Sequence, residues 1–116
     1  MPQYLLLLRS DPGTWKGMSP EGFQAVLQRM IGWREKMRSQ KILLGSNKLR
    51  DFSGKVVRRR GEVQVTDGPY TETKEVLGGY FLIEAPNYEA AVELCRECPT
   101  LEFGGIIEVR EVEAVG

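Results

Sequence analysis

Two strand-length apolar runs, residues 4–9 (YLLLLR) and 79–84 (GYFLIE), each lead into an amphipathic helical pattern, and that repeated succession limits the folds open to this chain. The first run suits a central strand covered on both faces, although leucine is not a strong β-former. The second, rich in aromatic and β-branched residues, reads as the other central strand. After the first run Asp11, Pro12, Gly13 and Gly17 break the chain. Ser19-Pro20-Glu21 then carries the marks of a helix start: a hydroxyl N-cap, proline at the first helical position and an acid in the first turn. Phe23, Val26, Leu27, Met30, Trp33 and Met37 recur at three- and four-residue spacing and share one face, while Gln24, Gln28, Arg29, Glu35 and Lys36 fall mainly on the other. This spacing assigns Trp33 and the methionines to a core, with a ligand-pocket lining as the competing assignment. After the second run Pro86 stops the strand, Asn87 caps a helix with Tyr88, Ala91, Val92 and Cys95 on one face, and Pro99 ends it.

Residues 42–49 (ILLGSNKL) form a further strand, bent or ended near Gly45 and Ser46, and residues 51–54 make a turn. Residues 55–59 and 62–66 around Arg60-Gly61 read as a peripheral, partly wet hairpin. Residues 105–112 (GIIEVREV) make the last strand, with Ile107, Val109 and Glu111 on one side and Glu108, Arg110 and Val112 on the other. The order β, α, β, hairpin, β, α, β is the split βαβ repeat of a ferredoxin-like α+β domain with an inserted hairpin, two helices lying on one face of an antiparallel sheet. The whole chain, residues 1–116, is one domain by length. The other sheet face needs a cover, and a homodimer packed sheet to sheet would supply it. We expect the two central strands to be adjacent and parallel. That would put Arg9 near Glu84 at one edge and Asp67 towards the opposite edge, against a direct Arg9–Asp67 pair.

Lysine plus arginine number 16 and aspartate plus glutamate 16, so no global field draws nucleic acid or anionic lipid to this chain. The run Arg58-Arg59-Arg60, with Lys48, Arg50 and Lys55 nearby, is either a charge-protected edge or a local phosphate or RNA contact, and no interleaved aromatics accompany it for base stacking. The apolar run at residues 5–8 is too short for a membrane span and lacks a basic leader, so a cytoplasmic location is expected. Histidine is absent. Catalytic triads, Cys-His pairs and histidine-based zinc sites are therefore excluded. Cys95 and Cys98 have C-x-x-C spacing, yet they fall at a helix end, where the dipole opposes a thiolate, and no second ligand pair completes a zinc shell. Core packing is the reading we adopt for them. No cofactor or metal is called for, although carboxylates alone could hold Mg²⁺ weakly.

Residues 67–80 (DGPYTETKEVLGGY) are the hardest to explain by packing. Asp67-Gly68-Pro69 is a turn by its own chemistry, and Gly78-Gly79 permits a bend or a close backbone approach at a strand entry. Asp67 is either a cap of that turn or a carboxylate facing a pocket. In the second case Asp67 or Glu72 is a candidate general base, and Arg9, Asp67, Lys74 and Tyr80 are candidate ligand contacts. A small-molecule-binding or regulatory protein is the leading functional expectation. The alternative is a small lyase or isomerase in which Arg9 or Lys74 holds an anionic intermediate.

The strand YLLLLR, the run VQVTDGPYTETKEVLGGYFLIE, the helix NYEAAVELCRECP and the closing GGIIEVREV resemble the YCII-related family, in the subgroup named for a DGPF motif. The chain differs from that pattern at Tyr70, where the motif has phenylalanine, and at Gln40-Lys41, where an alanine-glycine pair is usual. The resemblance implies a ferredoxin-like domain that pairs into a dimeric α+β barrel. It also implies, for some members, a histidine-aspartate pair, and for one branch dechlorination of an aromatic breakdown product. Without histidine that mechanism does not carry over, though Asp67, Gly68 and Pro69 match the motif. Members of the subgroup are often encoded beside extracytoplasmic-function sigma factors, which implies a regulatory setting and a sigma factor as a partner.

Overall fold

A computed structural model describes residues 1–70 and 73–115. Strand β1 (Gln3–Ser10) is followed by a short helix α1 (Pro12–Lys16), the long helix α2 (Pro20–Ser39) and β2 (Leu43–Lys48). Then come β3 (Lys55–Arg60), β4 (Glu62–Asp67), β5 (Val76–Glu84), α3 (Tyr88–Cys95), a 3-10 turn (Pro99–Phe103) and β6 (Ile106–Glu111). This is the predicted order with α1 added. Gly13 and Gly17 do not prevent that helix, because Asp11 Oδ1 accepts from the Gly13 amide at 2.9 Å and Pro12 opens the turn. Ser19 caps α2 and Asn87 caps α3, as their side chains lead one to expect: Ser19 Oγ accepts from Gly22 N at 3.0 Å and Asn87 Oδ1 from Ala90 N at 2.9 Å. Helix α3 stops at Cys95, before Pro99, and that proline starts the 3-10 turn.

The four-stranded sheet has the order β2-β5-β1-β6, and every neighbouring pair is antiparallel. The two central strands are thus antiparallel, which corrects the parallel pairing expected from sequence. Helix α2 carries the chain from β1 to β2, and these two run the same way with β5 between them. Gln3 consequently pairs with Glu84 and Arg9 with Leu77, so Arg9 lies at the end where β5 begins and Glu84 at the other.

Alternation along the strands sends Tyr4, Leu6 and Leu8 of β1 and Phe81 and Ile83 of β5 to the helical side. There they join Trp33 and Met37 of α2, Ala91 and Cys95 of α3, and Cys98 in one core. The Trp33 ring lies 4.8 Å from Phe81, and its indole N–H reaches the Leu94 carbonyl at 3.1 Å. Tyr4 meets Tyr88 edge-on at 4.9 Å. Gly79 is needed where it stands, since a Cβ there would approach the Asn47 carbonyl oxygen of β2 to 3.0 Å.

Leu5, Leu7, Arg9, Tyr80, Leu82 and Glu84 point to the opposite face, over which the described residues place no helix. Strands β3 and β4 form a separate two-stranded sheet, the predicted hairpin, with Gly61 at φ +75° in its turn. The protomer is correspondingly flat, 47 × 46 × 18 Å, with a radius of gyration of 15.9 Å. A compact domain of this length would have about 13 Å.

Leu6 is wholly buried between the two helices and the central strands. Leu6→Ala should cost about 2–5 kcal/mol, read as a lowered urea midpoint with unchanged slope.

Candidate functional site

Helix α2 is about 30 Å long at 1.5 Å per residue, and only part of it is clamped on the sheet. Towards its C-terminal end Trp33 and Met37 sit over Tyr4, Leu6, Phe81 and Ile83, all large side chains. Towards its N-terminal end the sheet offers small ones: Ser10, Ser46, Gly78 and Gly79. Apolar residues of the helix there, Phe23, Leu27 and Ile31, consequently line open space, while Met30 both lines it and packs against the core beside Cys98. The result is a cleft of about 320 Å³ between helix and sheet, at the lower end of the size of small-molecule sites.

Its walls are apolar, with Phe81 and Leu8 on the sheet side and Trp15 of α1 at one end. Trp15 is held there by its indole N–H donating to Ser10 Oγ at 2.9 Å and by the Phe103 ring at 5.7 Å. The polar part of the lining comes from Ser10 of β1, Ser46 and Lys48 of β2, Arg34 of α2 and Asp51. Lys48 Nζ lies 3.3 Å from Asp51 Oδ2, and both belong to the segment leaving β2. Phe52, at φ +56° and exposed, continues that segment, and Lys16 of α1 approaches its ring at 5.7 Å. Met30 therefore lines the cleft, as the ligand-pocket assignment had it, whereas Trp33 and Met37 are core.

Arg9 and Tyr80 lie on the other face of the sheet from this cleft. Arg9 Nη2 is 3.5 Å from Glu108 of β6, and the Tyr80 hydroxyl accepts from Asn47 Nδ2 at 2.8 Å. Asp67 ends β4 with its side chain 88% exposed and pairs across the hairpin with Lys55 at 2.5 Å. Its carboxylate makes no hydrogen bond to a backbone amide among the described residues, so the turn is held instead by Gly68 N donating to the Gly54 carbonyl at 2.9 Å. Lys74 is exposed in the loop before β5, and Glu72 lies outside the described residues. The antiparallel register removes the topological objection to Arg9 approaching the 67–78 connection, yet Arg9 and Asp67 each pair elsewhere. No group of three or more Asp, Glu, Cys or His positioned to hold a metal occurs among the described residues.

Sequence reading did not locate the cleft itself. Its one signal is the run of small side chains, Ser10, Ser46 and Gly79, at sheet positions that face α2. That pattern has meaning only once the strands are in register.

Cys95 and Cys98 are buried and unlinked, as packing predicts. Burial, with the neighbouring Cys98 adding to it, pushes the Cys95 thiol from 9.0 up to about 11. Because the folded value exceeds the unfolded one, the unfolded chain loses its proton first as pH rises. The contribution of Cys95 to stability is complete below the unfolded value and is lost between about pH 9 and 11. Native protein should resist Ellman's reagent at about pH 8 and react at both thiols in denaturant. Cys95→Ala should reduce the fall in urea midpoint between about pH 8 and 11.

A model of the YCII-related domain matches residues 3–115. No characterised protein matches the chain by sequence. Among solved structures, 5-chloro-2-hydroxyhydroquinone dehydrochlorinase from Burkholderia phenoliruptrix, in complex with 2,5-dihydroxybenzoquinone, superposes with a TM-score of 0.60 at 12% identity, over 97% of this chain and 95% of that one. At that identity the likeness is one of fold. A hypothetical protein of Arabidopsis thaliana, solved in solution, has a TM-score of 0.41 at 14% identity, over 99% of this chain and 90% of that one.

Proposed function

We propose that this chain, which belongs to the YCII-related domain family, binds a flat, largely apolar ring compound with oxygen substituents in the cleft between α2 and the sheet. One observation carries this reading: a mainly apolar slot of about 320 Å³ with a few polar and charged side chains, Ser10, Ser46, Arg34, Lys48 and Asp51, in its lining. Such a slot takes a ring by burial and orients it by its substituents. Phe23, Leu27, Met30 and Phe81 would enclose the ring. Lys48 and Arg34 would meet a phenolate or carboxylate, and Ser10 and Ser46 a hydroxyl or carbonyl. The oxygenated ring bound by the dehydrochlorinase of similar fold is consistent with this ligand class.

Binding is favoured over turnover because histidine, the usual base near neutral pH, is absent from the chain. A lyase or isomerase reaction in the same cleft is the second reading. It is supported by the Lys48–Asp51 pair among the cleft's lining residues, a carboxylate and an ammonium 3.3 Å apart of the kinds that serve proton transfer.

Titration calorimetry with 2,5-dihydroxybenzoquinone and a panel of hydroxylated benzoic acids tests both. At least one compound should bind, Leu27→Trp should fill the slot and abolish binding with the fold intact, and Lys48→Ala should weaken an anionic ligand roughly tenfold. Binding that survives Leu27→Trp unchanged would place the site elsewhere. Turnover lost in Asp51→Asn while affinity is retained would select the enzymatic reading.

A further inference from the structure

A smaller cavity of about 60 Å³ adjoins the cleft, and Ser10, Asp51 and Gly78 line both. At about 30 Å³ for each water molecule it has room for a side group of a few heavy atoms and none for a ring. Its wall is the connection between β2 and β3, residues 49–53, set against Pro12, Pro69 and the start of β5. Two backbone bonds tie that connection down: the Leu49 amide donates to the Gly78 carbonyl at 2.8 Å, and the Gly68 amide to the Gly54 carbonyl at 2.9 Å. The Asp67-Gly68-Pro69 turn thereby gains a place beside a cavity, since Gly68 holds the connection and Pro69 lines the space. At the junction of the two spaces a Cβ on Gly78 would meet nothing nearer than the Leu8 carbonyl oxygen at 3.9 Å, so Gly78 borders open space. Gly79, which has no such room, is required by the approach of β2.

Charge around the small cavity is uneven. Asp51 lies 3.3 Å from Lys48, which offsets it, and the carboxylate of Asp11, next to Ser10 and Pro12 in the chain, accepts from the Gly13 amide at 2.9 Å. Arg50 lines the cavity and has no ion pair among the described residues. Lys16, 5.7 Å from the ring of Phe52, adds a further positive charge nearby. Ser10 Oγ already accepts from the Trp15 indole at 2.9 Å, which leaves its own proton to donate, and Ser53 brings a second hydroxyl. A guanidinium and two hydroxyls around a space of this size suit a carboxylate, which takes charge-assisted bonds from all three.

We propose that the small cavity is a subsite of the cleft and that the ligand is a ring bearing a short acidic arm, whose carboxylate is recognised by Arg50. The inference rests on the ring-binding reading of the cleft and narrows its ligand class. The ring lies in the slot between α2 and the sheet, and the arm passes the junction at Ser10 and Gly78, where no large side chain stands. A carboxymethyl group, four heavy atoms, matches the space beyond. Arg50 is thus a specificity residue: it lines only the small cavity, and it distinguishes an acid from its neutral analogue without touching the ring.

Titration calorimetry at low salt with 2,5-dihydroxyphenylacetate, its primary amide and hydroquinone gives the test, with circular dichroism to confirm the fold of each variant. Wild-type protein should bind the acid at least about tenfold more tightly than the amide, which has the same shape and no charge. Arg50→Gln should abolish that difference and leave hydroquinone affinity as it was. Arg50→Glu should make the acid the weaker ligand of the two. The homologous acid with two further methylenes in its arm should gain nothing over its own amide, because the arm outgrows the cavity. If the ring compounds bind and Arg50→Gln alters none of them, the subsite is overturned while the ring-binding reading stands. A gain that persists with the longer arm marks a surface ion pair and also overturns it. If none of the compounds binds the wild type, or Leu27→Trp leaves their binding unchanged, the ring-binding reading fails and this inference fails with it.

Discussion

The packing of Trp33 and Met37 onto Tyr4, Leu6, Phe81 and Ile83 is the contact on which the rest of this structure depends. It fixes α2 to the two central strands near one end, aided by the Trp33 indole bond to Leu94, which ties α2 to α3 as well. Arg29, with a two-pronged bond to Glu102, and Lys36, 3.0 Å from Glu97, add exposed ion pairs between α2 and the segment after α3, and these are worth little beside the buried rings. Because large side chains lie under one end of the helix and small ones under the other, a single packing arrangement generates both core and cleft.

The cleft follows from geometry more than from any unusual residue. A straight helix over a twisted sheet diverges from it unless side chains grow to fill the gap, and here the sheet supplies serine and glycine. The Gly79 position makes the economy clear: its lack of a side chain is required by the close approach of β2, and the same lack leaves room beneath Phe23 and Met30. Lys48 and Asp51, on the chain just leaving β2, are carried into the lining of that space as a consequence.

The opposite face and the β3–β4 hairpin express a second imbalance, between apolar surface and the elements available to cover it. Two helices and a 3-10 turn account for one side of four strands, and Leu5, Leu7, Leu82 and the hairpin valines remain. Cys95 and Cys98 show the contrast. A spacing suggestive of reactivity is spent on packing because a raised thiol pKa keeps both side chains neutral inside the core.

Local chemistry alone was enough to determine the elements and their limits at Ser19, Asn87 and Gly61, since caps and turns are satisfied by atoms a few residues away. It also determined the order of a ferredoxin-like domain, the core role of Trp33 and the inert pair Cys95 and Cys98, because periodicity records which face is buried. The register of β5 on β1 was decided only by the tertiary structure; their opposite directions were already implied by the antiparallel sheet of the split βαβ order, against the parallel pairing expected for these two strands. With that register came the separation of Arg9 from Glu84 and the gathering of Ser10, Ser46 and Gly79 beneath α2. These residues are far apart in the chain, and only strand register makes them neighbours.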